Sequence, residues 1–151
     1  MAIPKTVQDG LISGVVGTIS HAGPTRCRAA VLDSASDKNN IFGYAFTFKD
    51  GDTVQAGGAG AFAGVMIHPH AYRLDEHQPN GSYCEFLDMG EVFVSVKDSG
   101  ESKIGDKVYY VAATGELTTV KEGNTLVPNC VFERHLPSAE TPNLCVIRLT
   151  N

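Results

Sequence analysis

Short runs of β-branched and aromatic residues, cut at close intervals by glycine-bearing turns, constrain this chain more than any other feature. In Val92-Phe93-Val94-Ser95-Val96 the three valines share one face by the two-residue period of a strand. The stretch Ile41–Phe48 sets Phe42, Tyr44, Phe46 and Phe48 on one face, with small residues on the other. That aromatic stripe is expected in the core, because a sheet must cover one of its faces. Gly14–Ser20, Cys27–Leu32, Gly64–His68, Val108–Val111, Leu117–Val120, Val127–Phe132 and Cys145–Leu149 read as further strands. Asp50-Gly51, Asn80-Gly81, Ser99-Gly100 and Thr114-Gly115 supply the positive-φ positions of tight reversals, so hairpins are expected at 49–52 and 113–116. No window of about 11 residues keeps a helical stripe. Ala71–His77, bounded by Pro69 and Pro79, is the best short helical candidate. The pattern predicts an all-β fold: a β-sandwich, a jelly-roll-like fold or a β-barrel.

At 151 residues the chain has the length of one domain with a real core. Residues 1–10 are expected to form an extended N-terminal arm, residues 11–151 the β-rich domain, and 137–142 a loop. The 16 glycines, against an average near 7%, are mostly explained by turns. A net charge of −5 and the lack of any Lys/Arg run argue against nucleic acid as a direct partner. The densest basic spot is Arg26-Cys27-Arg28. No leader pattern or membrane-length apolar run occurs, so synthesis in a cytoplasm without membrane insertion is expected. Cys27, Cys84, Cys130 and Cys145 form no CxxC and are expected to act as small buried hydrophobes, with Cys27 and Cys145 inside apolar alternations.

Motifs for chemistry are weak. His68-Pro69-His70 with Glu76 and His77 resembles a strand-borne metal pair, but the spacing departs from the cupin pattern and Pro69 interrupts pairing. A loop with two histidines is the expected reading. Gly58-Ala59-Gly60-Ala61-Phe62-Ala63-Gly64 has a GxGxxxG form, but a nucleotide cradle needs a strand before it and a helix after it. Thr53–Ala56 is a poor strand, and Val65-Met66-Ile67 is β in character, so a tightly packed loop suited to close contact is expected instead. No GxSxG elbow occurs, and Asp75, Glu76, Glu85 and Asp88 fall in apparent loops. No catalytic, cofactor or metal residue is assigned, and the chain is not expected to be an enzyme.

Ile104-Gly105-Asp106-Lys107-Val108-Tyr109-Tyr110, followed by Thr114-Gly115-Glu116-Leu117-Thr118-Thr119, resembles the structural cement, or head decoration, proteins of tailed bacteriophages. Gly43-Tyr44-Ala45-Phe46, Phe62–Ile67, Gly90–Val94, Gly123–Val127 and Val146–Leu149 follow the same family order. The resemblance spans residues 43–149, and His68–Pro79 matches nothing in it. It implies a β-rich fold, no catalytic residues, and binding to the major capsid protein on the outer surface of the virion after synthesis in the host cytoplasm. A homo-oligomer, dimer or trimer, would clamp several subunits at once. Candidate capsid contacts are Ala2, Ile3 and Pro4 in the arm and Gly58, Gly60 and Phe62 in the Gly/Ala loop. Two alternatives are a small β-sandwich metal-dependent enzyme using His68 and His70, and a carbohydrate-binding module. Glycan contact through exposed loops would use Tyr72, Tyr83 and Phe86.

Overall fold

A computed structural model describes residues 14–21, 23–68, 77–135 and 142–150. Nine strands run through them: β1 (Arg26–Leu32), β2 (Ala45–Asp50), β3 (Thr53–Ala56), β4 (Phe62–Ile67), β5 (Tyr83–Lys97), β6 (Lys107–Tyr110), β7 (Leu117–Thr118), β8 (Thr125–His135) and β9 (Leu144–Thr150). The fold is all-β and a single domain, and of the architectures expected it is the closed barrel that is found.

The strand pairings close into two circuits that share the 15-residue β5. In the first, β1, β3, β2 and β4 join the N-terminal part of β5. In the second, β7, β6, β8 and β9 join its C-terminal part. Every pairing is antiparallel except β1–β3 and β5–β7, the short parallel contacts in each ring. β5 changes neighbours at Met89, which faces Arg26 of β1 and Thr150 of β9.

Each ring has its own core. Leu32, Phe42, Phe46, Val54, Met66 and Phe86 fill the first, with Ala30, Ala56 and Ala63 in the remaining space. The second holds Val92, Val94, Val96, Val108, Leu117 and Ile147, together with Phe132, Tyr110, Cys130 and Cys145. Strand β4 separates them: Met66 points into the first core, while Val65 and Ile67 belong to the second. A strand buried on both faces reads as a continuous apolar run, as Phe62–Ile67 does. Gly64 permits the close approach of β5 there, since a Cβ would lie 2.7 Å from the Leu87 carbonyl oxygen at a φ of +145°.

A buried polar cluster ties the loops of the first ring. The Ser34 hydroxyl donates to Asn40 Oδ1 at 2.6 Å and accepts from the Ala56 N–H at 2.8 Å. Asn40 Nδ2 donates to the Gln78 carbonyl at 2.7 Å and to Asn80 Oδ1 at 2.9 Å. Such groups are tolerated inside because they are bonded.

Several local expectations change. The aromatic stripe is core, but β2 starts at Ala45, because Phe42 and Gly43 form a turn with Gly43 at φ +86°. Residues 14–20 form a turn with a single bridge, Ile19 to Val92, instead of a strand. Thr53–Ala56, dismissed as a strand, is β3: its Val54 is buried and the hairpin with β2 supplies its ladder. Glu85 and Asp88 lie on β5 and not in loops. The 113–116 hairpin forms as expected. Most of the short helical candidate, the arm and most of the 137–142 loop fall outside the described residues.

Candidate functional site

The Gly/Ala loop between β3 and β4 is built by close backbone approach. The Gly57 N–H donates to the Ala45 carbonyl at 2.9 Å, and the Gly58 N–H donates to the Ala112 carbonyl at 2.7 Å. The Ala45 N–H in turn donates to the Gly115 carbonyl at 2.9 Å. The buried Tyr110 reaches across with its hydroxyl to the Gly58 carbonyl at 3.1 Å, and burial raises its pKa. Ala45 and Gly57 belong to the first ring, Ala112 and Gly115 to the β6–β7 turn of the second. The small residues therefore serve a junction between the rings. Gly57 is at φ +66° and a Cβ there would lie 2.4 Å from the Ala112 carbonyl oxygen.

Beyond this junction the loop turns outward. Gly58 is half-buried, Ala59, Gly60 and Ala61 are exposed, and Phe62 is half-buried against the second core. The structure thus brings Gly58, Gly60 and Phe62 together along this loop and the start of β4, with an exposed tip held to β2 where the Phe48 N–H donates to the Ala61 carbonyl at 2.8 Å. The GxGxxxG segment runs into β4 and not into a helix, so its amides do not converge as a phosphate cradle requires. Ala2, Ile3 and Pro4 lie outside the described residues.

The other candidates disperse. The His68 N–H donates to the Gly17 carbonyl at 2.6 Å, and its ring lies 4.5 Å from that of Phe42. His70 and Glu76 lie outside the described residues, among which no group of three or more His, Cys, Asp or Glu is arranged to hold a metal. A glycan platform of Tyr83 with Phe86 is ruled out by alternation along β5: Tyr83 is 75% exposed while Phe86 is fully buried in the first core. None of the four cysteines is joined in a disulfide. Cys130 and Cys145 are buried as expected, and burial pushes their thiols up to about 12 and about 11. Cys27 is exposed, a correction to the buried reading, because its side chain lies on the outward face of β1.

Two surface hollows are lined by described residues. One, about 510 Å³, is lined by Asp98, Gly100, Ser102, Asp106 and Thr119. Its Asp106 carboxylate is committed to the turn, accepting the Lys103 N–H at 2.8 Å. The other, about 310 Å³, lies where β5 changes neighbours, between His21, Pro24, Met89, Glu91 and Arg148. Neither sets a nucleophile against a base. Sequence reasoning missed a different feature, the outward edge of β1. Its only signal was the basic triplet Arg26-Cys27-Arg28.

The chain matches the model of a family described as structural cement protein (E217 gp24/Pam3 gp6) over residues 3–150. A chain from a solved structure described as the capsid of Myoviridae phage XM1 shares the fold with a TM-score of 0.75. The two are 20% identical, and the alignment covers 100% of this chain and 99% of that one. No curated protein matches. The segments that carry the resemblance in sequence, 104–110 and 114–119, form β6 and the β6–β7 hairpin of the second ring.

Proposed function

This chain belongs to the structural cement protein family of bacteriophages, and from that premise we propose that it binds the major capsid protein on the outer face of an assembled shell and clamps neighbouring subunits. The observation that carries the reading is the extent of the family match, residues 3–150, which takes in both rings and the junction. A structural capsid role is what such a family supports. The net charge of −5 suits the outside of a shell and disfavours contact with packaged DNA. A dimer or trimer would touch several subunits, so that weak contacts add through high effective concentration. Binding only the expanded shell would stabilise it by mass action against internal DNA pressure. Contacts are assigned to Ala2, Ile3 and Pro4 of the arm and to the loop that carries Gly58, Gly60 and Phe62.

The test adds purified protein to expanded capsids that lack it. Saturable co-sedimentation and a higher shell rupture temperature are expected. No binding to any expanded capsid of the same virus overturns the proposal. Deleting residues 2–9 is expected to weaken binding, and undiminished binding removes the arm from the contact set.

A further inference from the structure

Closing strands into rings removes sheet edges, and edges invite pairing with other chains. Among the described residues one useful edge survives. β3 meets β1 only at Val31 and Leu32, so residues 26–30 have β5 on one side and no strand on the other among the described residues. The direction of their backbone groups follows from the pairing. The Val31 N–H donates to Asp52 on the β3 side, and the Leu32 N–H donates to Ser82 on the β5 side. By alternation Ala29 and Cys27 turn their N–H and C=O groups away from β5, toward the open side. Both residues are exposed. The first half of β8 is open on one side too, but Pro128 has no N–H there and Asn129, at φ +51°, breaks the extended run.

The side chains along this edge state what would fit. Cys27, Ala29 and Val31 share the outward face with the exposed Tyr83 and Glu85 of β5, which pair with Val31 and Ala29 on the side away from the open edge. Arg26 and Arg28 lie on the opposite face. Arg26 is engaged by Asp88 through two hydrogen bonds of 2.8 and 2.9 Å. The Arg28 guanidinium sits 5.0 Å over the Phe48 ring, exposed at the mouth of the first ring. A second copy pairing antiparallel across this edge would bring Arg28 near its own counterpart, a repulsive cross-strand arrangement.

We propose that the free edge of β1 accepts an extended segment of the partner as an added strand, with apolar side chains along Ala29 and Tyr83 and a carboxylate opposite Arg28. Backbone bonds to Ala29 and Cys27 give affinity, and the alternating side chains give register and choice. Identifying the partner as the capsid rests on the proposed function; the edge itself does not.

The test has two arms. In the first, wild-type protein, Ala29→Pro and Arg28→Glu are titrated onto expanded capsids, with hydrogen exchange read at the Cys27 and Ala29 amides. Capsid binding with protection of these amides, and at least ~10-fold weaker binding by both variants, supports the edge. Wild-type and variant proteins that bind equally well overturn it and leave the capsid reading standing. In the second arm the probe is a synthetic heptapeptide alternating Val and Asp, with its Val/Lys counterpart as control. Selective protection of the two amides by the Val/Asp peptide, lost in Arg28→Glu, supports the edge even if wild-type protein binds no capsid and the capsid reading falls. Equal effects of the two peptides, or none, overturn it. Protection that rises with protein concentration alone assigns the edge to a second copy and also overturns it. Arg28→Gln, a surface change, stands in if Ala29→Pro does not fold.

Discussion

The two rings share a strand but fill their interiors differently. The first packs aromatic rings against alanines: Phe46 and Phe86 lie 5.1 Å apart, tilted, and both are fully buried. The second also buries the rings of Phe132 and Tyr110, but spreads the rest of its burial over many β-branched and aliphatic side chains. Concentrated packing makes the first ring depend on a few large residues, whereas the second divides the same task among more residues, most of them aliphatic. The first ring also buries the bonded pair Ser34 and Asn40, which the exposed Asn80 covers from outside, while the second encloses two thiols. The ring with fixed, oriented polar bonds is the one that carries the open edge.

Truncating one residue in each ring tests this contrast most strongly. Phe46→Ala should cost about 3–5 kcal/mol, from lost burial and a cavity that flanking alanines cannot fill. Val94→Ala should cost about 2 kcal/mol, two methyl groups at roughly 0.8 kcal/mol each plus a small cavity. Urea unfolding of both variants measures the difference. Equal losses would mean that the rings share one packing regime.

The junction offers a second, smaller contrast, between two glycines with similar backbone geometry. Gly115 is at φ +81° with the Ala45 carbonyl oxygen 2.5 Å from where a Cβ would be, whereas Gly51 is at φ +54° in open space. Gly51→Ala should cost about 1 kcal/mol for the left-handed backbone alone. Gly115→Ala adds a backbone clash to that strain and should cost about 3 kcal/mol. Because Gly115 belongs to the bond set that joins the rings, its variant should also separate their unfolding, so that probes in β1 and in β9 no longer give one midpoint. Coincident midpoints would show that β5 alone couples the rings.

What the sequence made legible follows the same division. The β6–β7 hairpin could be read because Val108-Tyr109-Tyr110 and Leu117-Thr118 flank a Thr-Gly turn, so that period and turn chemistry agree within a dozen residues. β3 could not, because only Val54 advertises burial and its strand state depends on β1 and β2. The N-terminal part of β5 was hidden by Glu85, Asp88 and Gly90: Glu85 is exposed on the strand, Asp88 is engaged by Arg26 of β1, and glycine reads as a turn. Among candidate site residues, the smallness of Gly58 correctly signalled close approach, but not that the approach is to Gln55, Thr47 and Ala112 of the same chain. The open edge at Ala29 is a matter of which neighbour is missing, and a local pattern cannot express that.

The smallest expected effect at neutral pH concerns the thiols. Cys130 and Cys145 in the second ring ionise at about 12 and about 11 when folded, against an ordinary value of 9.0, chiefly because burial disfavours the thiolate. The unfolded chain ionises first. The stability these groups contribute is therefore complete below pH 9 and is lost as pH rises toward the folded values. Cys130→Ala should flatten part of the alkaline fall while leaving the slope below pH 8 unchanged. In the first ring, burial and then Glu85 and Asp88 also raise the Cys27 pKa, yet its side chain is exposed. An aromatic disulfide reagent at pH 8 should therefore label native Cys27 directly. Labelling of Cys130 and Cys145 should wait on opening of the second ring, at rates roughly 10³-fold lower or less. Equal labelling of Cys27 and Cys145 would show that the second core opens as readily as the surface of β1, and the contrast between the rings would fail where it is most finely drawn.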